Sequence, residues 1–160
     1  MSCSKSILFC YGVGGHNSQM NRLVKRLKPH LENAKLISLS DKKDAPDWAD
    51  EHYVCGELRS KHRHIDSLLN TGPAKIVTSL IKIRRNHHIH SVVSTGPGIC
   101  IVAALFYKTM GAKIVHVETW SRFKTSSLTG RIMYKLADKF YVQNESLVRL
   151  YPNAIYAGLL

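Results

Sequence analysis

The chain has 160 residues, of which 44% are hydrophobic, and it carries a formal net charge of +12 at pH 7. This length supports one domain with a buried core and leaves little room for a second. No apolar run approaches the length of about 18 residues that a transmembrane helix needs, and no basic segment precedes Ile7 as it would in a signal peptide. We therefore expect a single domain over residues 1–160 that is soluble or peripheral to a membrane.

The excess of positive charge points to an anionic partner, such as nucleic acid, lipid headgroups or a phosphorylated substrate. Basic residues cluster at residues 22–28, 59–64 and 82–90 rather than along one recognition helix. Aromatic residues do not interleave with these clusters as they do in proteins that bind single-stranded nucleic acid. The sequence therefore favours lipid or phosphate partners and predicts no nucleic acid.

Cysteine and histidine spacing does not indicate a metal site. Cys3, Cys10, Cys55 and Cys100 lack the paired spacing of zinc ligands, and three of the four fall within apolar patterns. We expect them to be reduced core thiols of a cytoplasmic protein. The histidines at positions 87, 88 and 90 have no second ligand group beside them, so we predict no metal there.

Predicted strands and helices alternate along the chain. Apolar runs predict strands at residues 7–10, 36–39, 52–55, 91–95, 113–118, 139–142 and 154–157. Helical spacing predicts helices at about residues 17–31, 73–86, 99–110, 126–137 and 145–150, and Asn17 or Ser18 is expected to cap the first. Trp48 is expected to anchor the polar loop before it, and residues 57–72 give no clear pattern. This alternation is typical of an α/β fold with a doubly wound, Rossmann-like parallel sheet.

Three turns that follow predicted strands are candidate site segments, at residues 12–16, 95–98 and 118–122. Ligands of doubly wound sheets bind outside the carboxyl ends of the strands, so we expect all three turns to open onto one edge. In the first turn, Gly12, Gly14 and Gly15 would let backbone approach a ligand, and the helix start that follows would attract an anion. Alternatively, the glycines only make a tight connection between strand and helix.

Five motifs, in order along the chain, resemble the asparagine-linked glycosylation protein fourteen family and its bacterial counterparts, the PssD and CpsF type polysaccharide proteins. They are Gly14-Gly15-His16 with Gln19-Met20, residues 94–98, residues 117–122, residues 128–131 with 136–143, and Tyr151-Pro152 with Gly158.

The resemblance implies the amino-terminal, acceptor-side half of an inverting GT-B glycosyltransferase. A separate small protein would supply the carboxy-terminal half and bind most of a UDP-sugar donor. Bacterial members extend a saccharide on undecaprenyl diphosphate in capsule or exopolysaccharide assembly. Eukaryotic members carry an amino-terminal membrane anchor that has no counterpart before Ile7. We therefore expect attachment to the anionic inner face of the cell membrane that is peripheral or mediated by the partner.

In this interpretation the acceptor diphosphate needs backbone amides and cations, which the glycine turn and a nearby arginine can supply. The two remaining turns would contact substrate or the partner subunit, although Gly96-Pro97-Gly98 would look the same if it were only a turn from strand to helix. The candidate diphosphate-binding residues are Gly12, Gly14, Gly15, Asn17 and Arg122, and the candidate interface residues are Thr95, Gly96, Pro97, Gly98 and Trp120.

Inverting sugar transfer requires a base that takes the proton from the acceptor hydroxyl. His16 and Glu118 are the candidates, and no metal or other cofactor is expected. His16 could be the base, could hydrogen-bond a phosphate, or could have a structural role. Glu118, at the end of an apolar strand, could be the base, orient His16, bind acceptor hydroxyls, or pair with Arg122 in a purely structural role.

Two other functions remain open at this point. A membrane-recruiting scaffold would share the basic surfaces and lack chemistry of its own. A dinucleotide-binding oxidoreductase would share the glycine turn, but the GxGxxG spacing is absent because Asn17 stands three residues after Gly14. No acidic residue ends the second predicted strand either.

Overall fold

The computed structural model describes residues 5–56 and 72–160. Seven strands form one sheet in the order β3-β2-β1-β4-β5-β6-β7, and every neighbouring pair is parallel. The strands are β1 (Lys5–Cys10), β2 (Ala34–Ser40), β3 (Glu51–Val54), β4 (Ile89–Ser94), β5 (Lys113–Val117), β6 (Lys139–Val142) and β7 (Ile155–Tyr156). The helices are α1 (Gly15–Leu27), α2 (Gly72–Asn86), α3 (Ile99–Lys108) and α4 (Leu128–Leu136), with short 3-10 helices at Lys28–His30 and Glu145–Arg149.

This architecture confirms the predicted doubly wound parallel sheet, and every predicted strand is present within one or two residues of its expected bounds. The order of the strands reverses between β1 and β4, which places a topological switch point there. The segment without a clear pattern, the basic cluster at 59–64 and Cys3 lie outside the described residues.

Alternation along β1 divides the core into two layers. Leu8 and Cys10 face the layer that contains the buried sides of α2, α3 and α4. Phe9 and Tyr11 face the opposite layer, where α1 contributes Met20 and Val24. Burial of each such apolar side chain contributes about 1.5–3 kcal/mol to the free energy of unfolding. The helical connections therefore cover both faces of the sheet and leave the carboxyl edge of the strands to the turns.

Trp48 anchors its loop as predicted. Its ring makes an edge contact with Phe9 at a centroid distance of 5.2 Å and lies 6.1 Å from Tyr11. Its indole Nε1 donates a 2.8 Å hydrogen bond to Asn21 Oδ1. The loop between β2 and β3 is thus held against α1.

The start of α1 differs from the prediction. The helix begins at Gly15, after Gly14 in the left-handed region at φ 68°, and no side chain caps it. Asn17 and Ser18 lie within its first turn, so the predicted side-chain cap was wrong. Gly14 reverses the chain early because a residue without a Cβ adopts positive φ at little cost. The first amides of α1 consequently have no side-chain acceptor.

The cysteines in the described residues behave as core thiols. Cys10, Cys55 and Cys100 are free and buried, and burial raises the pKa of Cys55 to about 12. Among the helices of residues 5–56 and 72–160, none is long and apolar enough to cross a membrane.

Candidate functional site at the carboxyl edge of the sheet

The three candidate turns meet because β1, β4 and β5 are adjacent and parallel in the sheet. The first two turns touch directly: a Cβ on Gly12 would lie only 2.6 Å from Pro97 Cγ. A side chain at Gly12 would therefore separate the turns. The need for a glycine at position 12 comes from this contact between turns, whereas at Gly14 it comes from positive φ.

His16, in the first turn of α1, is held by the turn after β4. Its Nδ1 lies 2.7 Å from the main-chain carbonyl oxygen of Thr95. The hydroxyl of Thr95 donates a return hydrogen bond of 3.2 Å to the carbonyl oxygen of His16. The side chain is partly buried, so these two contacts fix the imidazole at the open edge of the sheet.

A second histidine lies close to His16. His116 is 2% exposed, and its Nδ1 is 2.7 Å from the hydroxyl of Ser94, its cross-strand neighbour. Its ring stacks at a tilt on Phe140, with a centroid distance of 5.3 Å. Burial, with a smaller effect of the nearby His16, lowers the pKa of His116 to about 3. His116 is therefore neutral near pH 7.

Glu118 lies at the end of β5, and its carboxylate is buried and surrounded by donors. The hydroxyl of Tyr151 donates to Oε2 at 2.9 Å, and the amide of Thr119 donates to Oε1 at 3.0 Å. The hydroxyl of Ser127 lies 3.1 and 3.2 Å from the two oxygens. Both oxygens are thus engaged within the protein, as is usual for a buried carboxylate.

The hydrogen bonds around Glu118 also hold the start of α4. Ser127 is the N-cap of this helix and accepts a 2.7 Å hydrogen bond from the amide of Gly130. A Cβ on Gly130 would lie 1.6 Å from Glu118 Oε2 and 2.6 Å from the hydroxyl oxygen of Tyr151. Gly130 therefore leaves the space that the carboxylate occupies.

The main chain after β5 is held by buried amides from two other elements. Gln19 of α1 donates through Nε2 to the carbonyl oxygens of Val117 and Glu118, at 3.3 and 3.2 Å. Gln143, just after β6, donates to the same Glu118 oxygen at 2.9 Å. The position of the loop that begins at Thr119 is consequently set from both sides.

The loop presents an aromatic and a basic side chain. The guanidinium of Arg22 lies over the ring of Trp120, 4.9 Å from its centroid. Arg122 is exposed, and its guanidinium donates to Thr125 Oγ1 at 3.0 Å. The suggested ion pair between Arg122 and Glu118 is therefore replaced by the contacts described above.

Comparison with known proteins identifies the family. Residues 7–160 match the family model described as "Oligosaccharide biosynthesis protein Alg14 like". The chain belongs to the Alg14 family. The resemblance found in the sequence is thereby confirmed, and the chain is a glycosyltransferase subunit.

Among named relatives, the UDP-N-acetylglucosamine transferase subunit ALG14 of Kluyveromyces lactis is 32% identical over 96% of this chain and 78% of its own length. The human protein of the same name is 28% identical over 97% of this chain and 82% of its own length.

Two solved structures share the fold of this Alg14 family member. MurG of Acinetobacter baumannii superposes with a TM-score of 0.64 at 12% identity, over 97% of this chain. UDP-N-acetylglucosamine 2-epimerase of Rickettsia bellii gives 0.66 at 11% identity, over 98% of this chain. In each case the chain spans 45% of the solved protein. These likenesses confirm the Rossmann-like half of a GT-B fold.

The described structure therefore brings His16, Gly12 and the turn at Thr95–Pro97 into direct contact, and it links the Glu118 loop to α1 through Gln19. It does not engage Glu118 with Arg122. Within residues 5–56 and 72–160 no three His, Cys, Asp or Glu side chains are placed to hold a metal ion. The expectation of a metal-free site stays a prediction, as do the roles of the individual site residues.

For several residues around the site of this Alg14 family member, the sequence predicted no site role. Some of them lie inside the five motifs, but the motifs do not indicate what their side chains contact. The polar His116 within an apolar strand was a usable signal, because a buried polar side chain needs a partner. The residues concerned are Gln19, Ser94, His116, Ser127, Gly130, Gln143 and Tyr151.

Proposed function

We propose that this chain is the acceptor-binding subunit of a two-protein inverting glycosyltransferase. It would act on a polyprenyl-diphosphate-linked saccharide, specifically one on undecaprenyl diphosphate in capsule or exopolysaccharide assembly. The observation that supports this best is the meeting of the glycine turn, His16 and the Glu118 loop at one open edge in an Alg14 family member. A small partner would supply the other half of the site.

In the proposed reaction, an acceptor hydroxyl oxygen attacks the anomeric carbon of a UDP-sugar. A bond forms between these two atoms, and the bond from the anomeric carbon to the diphosphate oxygen breaks. The electron pair of the broken bond leaves with UDP, and the hydroxyl proton passes to His16. His16 suits this step because it is fixed at the edge by Thr95. Glu118 holds the loop and α4 in position, since its oxygens are already engaged.

The glycine turn would hold the acceptor diphosphate. Gly14 and Gly15 are exposed, and the first amides of α1 lack a side-chain cap. The first turn of α1 contains no acidic residue that would repel an anion. Amides at a helix start, together with the helix dipole, favour a phosphate group in such a place. Asn17 and Arg122 are the side chains proposed to complete this contact.

The donor would be bound mainly by the partner. The relatives are named UDP-N-acetylglucosamine transferase subunits, so UDP-N-acetylglucosamine is the first donor to test. MurG and the epimerase are each more than twice as long as the part that this chain matches. A separate partner with the second half of the fold would make up that difference, and it would meet this chain at Gly96, Pro97, Gly98 and Trp120.

A peripheral position on the anionic cytoplasmic face of the membrane fits the charge distribution. Exposed cations on α1 and the 3-10 helix after it include Arg22, Lys25, Arg26 and Lys28. Each Lys or Arg near an anionic leaflet contributes about 1 kcal/mol to binding.

The test is a sugar-transfer assay with the purified chain, the purified partner and the pair. Donors are UDP-N-acetylglucosamine and UDP-glucose, and the same saccharide is offered on undecaprenyl diphosphate and on a longer polyprenyl diphosphate. We expect the pair to transfer sugar and neither protein to do so by itself. Robust transfer by this chain without a partner would contradict the two-protein proposal.

His16→Ala separates an enzyme subunit from a recruiting scaffold. In the pair, this change should lower kcat by about 10²–10⁴-fold and leave partner binding intact. His30→Ala, at an exposed histidine of the 3-10 helix, is the matched control. Full activity of the His16→Ala pair would favour the scaffold.

A further inference from the structure

We propose that the main-chain carbonyl of Thr95 fixes His16 in the tautomer with hydrogen on Nδ1, so that Nε2 is the nitrogen that receives the acceptor proton. The assignment of the tautomer stands on geometry alone, while the use of Nε2 as a base rests on the proposed function. Thr95 and Gly96 are positioning residues in this scheme, because they act through His16.

The Thr95 carbonyl determines which ring nitrogen of His16 carries the hydrogen. Nδ1 of His16 lies 2.7 Å from the carbonyl oxygen of Thr95. A carbonyl oxygen has no hydrogen to donate, so the hydrogen between these atoms must belong to Nδ1. The neutral ring then carries its lone pair on Nε2. Within residues 5–56 and 72–160, no side chain or main-chain group makes a hydrogen bond to that nitrogen.

The contact is reinforced by a second hydrogen bond in the opposite direction. The hydroxyl of Thr95, a residue 1% exposed, donates to the carbonyl oxygen of His16 at 3.2 Å. Two hydrogen bonds between the same two residues restrain both the main chain and the ring of His16. The arrangement corresponds to the orienting partner of a catalytic triad, with a neutral carbonyl in the place of the carboxylate.

Gly96 provides the space in which the ring lies. A Cβ on Gly96 would lie 3.2 Å from Cγ and 3.3 Å from Cβ of His16, and 3.1 Å from the amide nitrogen of Gly12. All three approaches are tighter than ordinary van der Waals contact, and the one to Gly12 involves rigid backbone. A side chain at position 96 would therefore require His16 or the Gly12 backbone to shift by a few tenths of an ångström, which would disturb the contact between the imidazole and the Thr95 carbonyl.

The direct test is the tautomer of His16 in solution. The full chain is labelled with ¹⁵N-histidine, and the ring nitrogens are observed by long-range ¹H–¹⁵N correlation at a pH where the imidazoles are neutral. His16→Gln identifies the signals of His16 by their loss. We expect hydrogen on Nδ1, which is the minor tautomer of free histidine. Hydrogen on Nε2 would overturn the proposal.

Two variants test the positioning role. Gly96→Ala should change the tautomer balance of His16 and lower kcat of the pair much more than it changes KM for the donor. Thr95→Val, which keeps the carbonyl and loses the hydroxyl, should keep hydrogen on Nδ1 and lower kcat about two- to tenfold. Thr78→Val removes a hydroxyl donor from the exposed face of α2, where Thr78 bonds the carbonyl oxygen of Lys75, and serves as the control.

The outcomes separate this inference from the proposed function. Hydrogen on Nδ1 in a chain whose His16→Ala variant still transfers sugar would support the tautomer and contradict the catalytic role. An unchanged His16 spectrum and unchanged kcat in folded Gly96→Ala would overturn the positioning role. If Gly96→Ala does not fold, the wild-type spectrum still tests the tautomer and Thr95→Val still tests the positioning role. Equal kcat for Thr95→Val and Thr78→Val would contradict the positioning role.

Discussion

Gly130 and Glu118 occupy adjoining space in the core beneath α4, although twelve positions separate them in the chain. The Glu118 Oε2 atom fills the place where a side chain of residue 130 would begin, at 1.6 Å from an ideal Cβ. The carboxylate can therefore receive hydrogen bonds from Ser127 and Tyr151 only because residue 130 is a glycine. The end of β5 and the first turn of α4 are built around this contact.

Gly130→Ala is expected to destabilise the fold, because the added methyl group would displace a buried carboxylate or move the helix. Overpacking combined with lost hydrogen bonds should lower the free energy of unfolding by about 3 kcal/mol or more. Urea denaturation followed by circular dichroism measures the change. Thr129→Ala, one residue earlier in the same helix, is the control and should cost much less. Equal stability of the two variants would show that the cluster is loosely packed.

Glu118→Gln distinguishes a positioning carboxylate from a catalytic base. Glutamine keeps the shape of the side chain but loses the charge that strengthens the hydrogen bonds from Ser127 and Tyr151. The free energy of unfolding should therefore fall by about 1.5–3 kcal/mol. Transfer by the partner complex should stay within about tenfold of wild type, because in the proposed reaction His16 takes the acceptor proton. Glu145→Gln, at an exposed carboxylate, controls for the loss of charge. A fall in kcat of about 10²-fold or more in a folded Glu118→Gln variant would make Glu118 the base.

Acid should weaken the fold through His116. The pKa of this side chain is lowered to about 3 by burial, whereas an unfolded histidine titrates near pH 6.5. Between these values the unfolded chain binds a proton that the folded chain does not, so the free energy of unfolding falls as pH decreases from about 6.5 to about 3. His116→Gln should flatten this dependence in urea denaturation at pH 7, 5.5 and 4.5. His30→Gln, at an exposed histidine, should leave it unchanged; parallel curves for wild type and His116→Gln would contradict the assignment.

Glu51, at the start of β3, should add to the loss of stability in acid. Its carboxylate receives a 2.6 Å hydrogen bond from Lys35 and contacts His87 and Tyr53, and these partners lower its pKa to about 2. Its contribution is therefore present above about pH 4.5 and is lost as pH falls towards 2. The side chain is 37% exposed, so solvent screening limits the effect to about 1 kcal/mol.

Glu51→Gln should thus be less stable than wild type at pH 7, and the difference should shrink as pH approaches 2. Added salt should also reduce it. Glu32→Gln, at an exposed carboxylate, is the control. A difference between Glu51→Gln and wild type that does not change with pH would mean that packing, and not charge, accounts for it.

The sequence predicted the sheet because buried parallel strands appear as short apolar runs, and the run ending at Cys10 is a clear example. It also placed the three turns at one edge, since parallel strands end on the same side. The start of α1 was misjudged because polar side chains at Asn17 and Ser18 suggested a cap. The left-handed conformation of Gly14 begins the helix earlier.

The environment of Glu118 could not be predicted from the sequence. Its donors Ser127 and Tyr151 are 9 and 33 residues away, and no local pattern links them to the end of β5. The partner of His16 was hidden for a different reason. The group that contacts Nδ1 is the main-chain carbonyl of Thr95, which every residue possesses, so no residue type marks it.

The contact between Gly12 and Pro97 has a dynamic consequence. The two turns also share the hydrogen bond from the amide of Thr95 to the carbonyl oxygen of Cys10, at 3.3 Å. Neither turn can swing outward without breaking contacts of the other, so local opening of this edge should be one event. Hydrogen-bonded amides on both turns would then exchange with solvent with a common free energy of opening. Substitutions at positions 12 and 97 should accordingly have non-additive effects, because each residue sets the space available to the other.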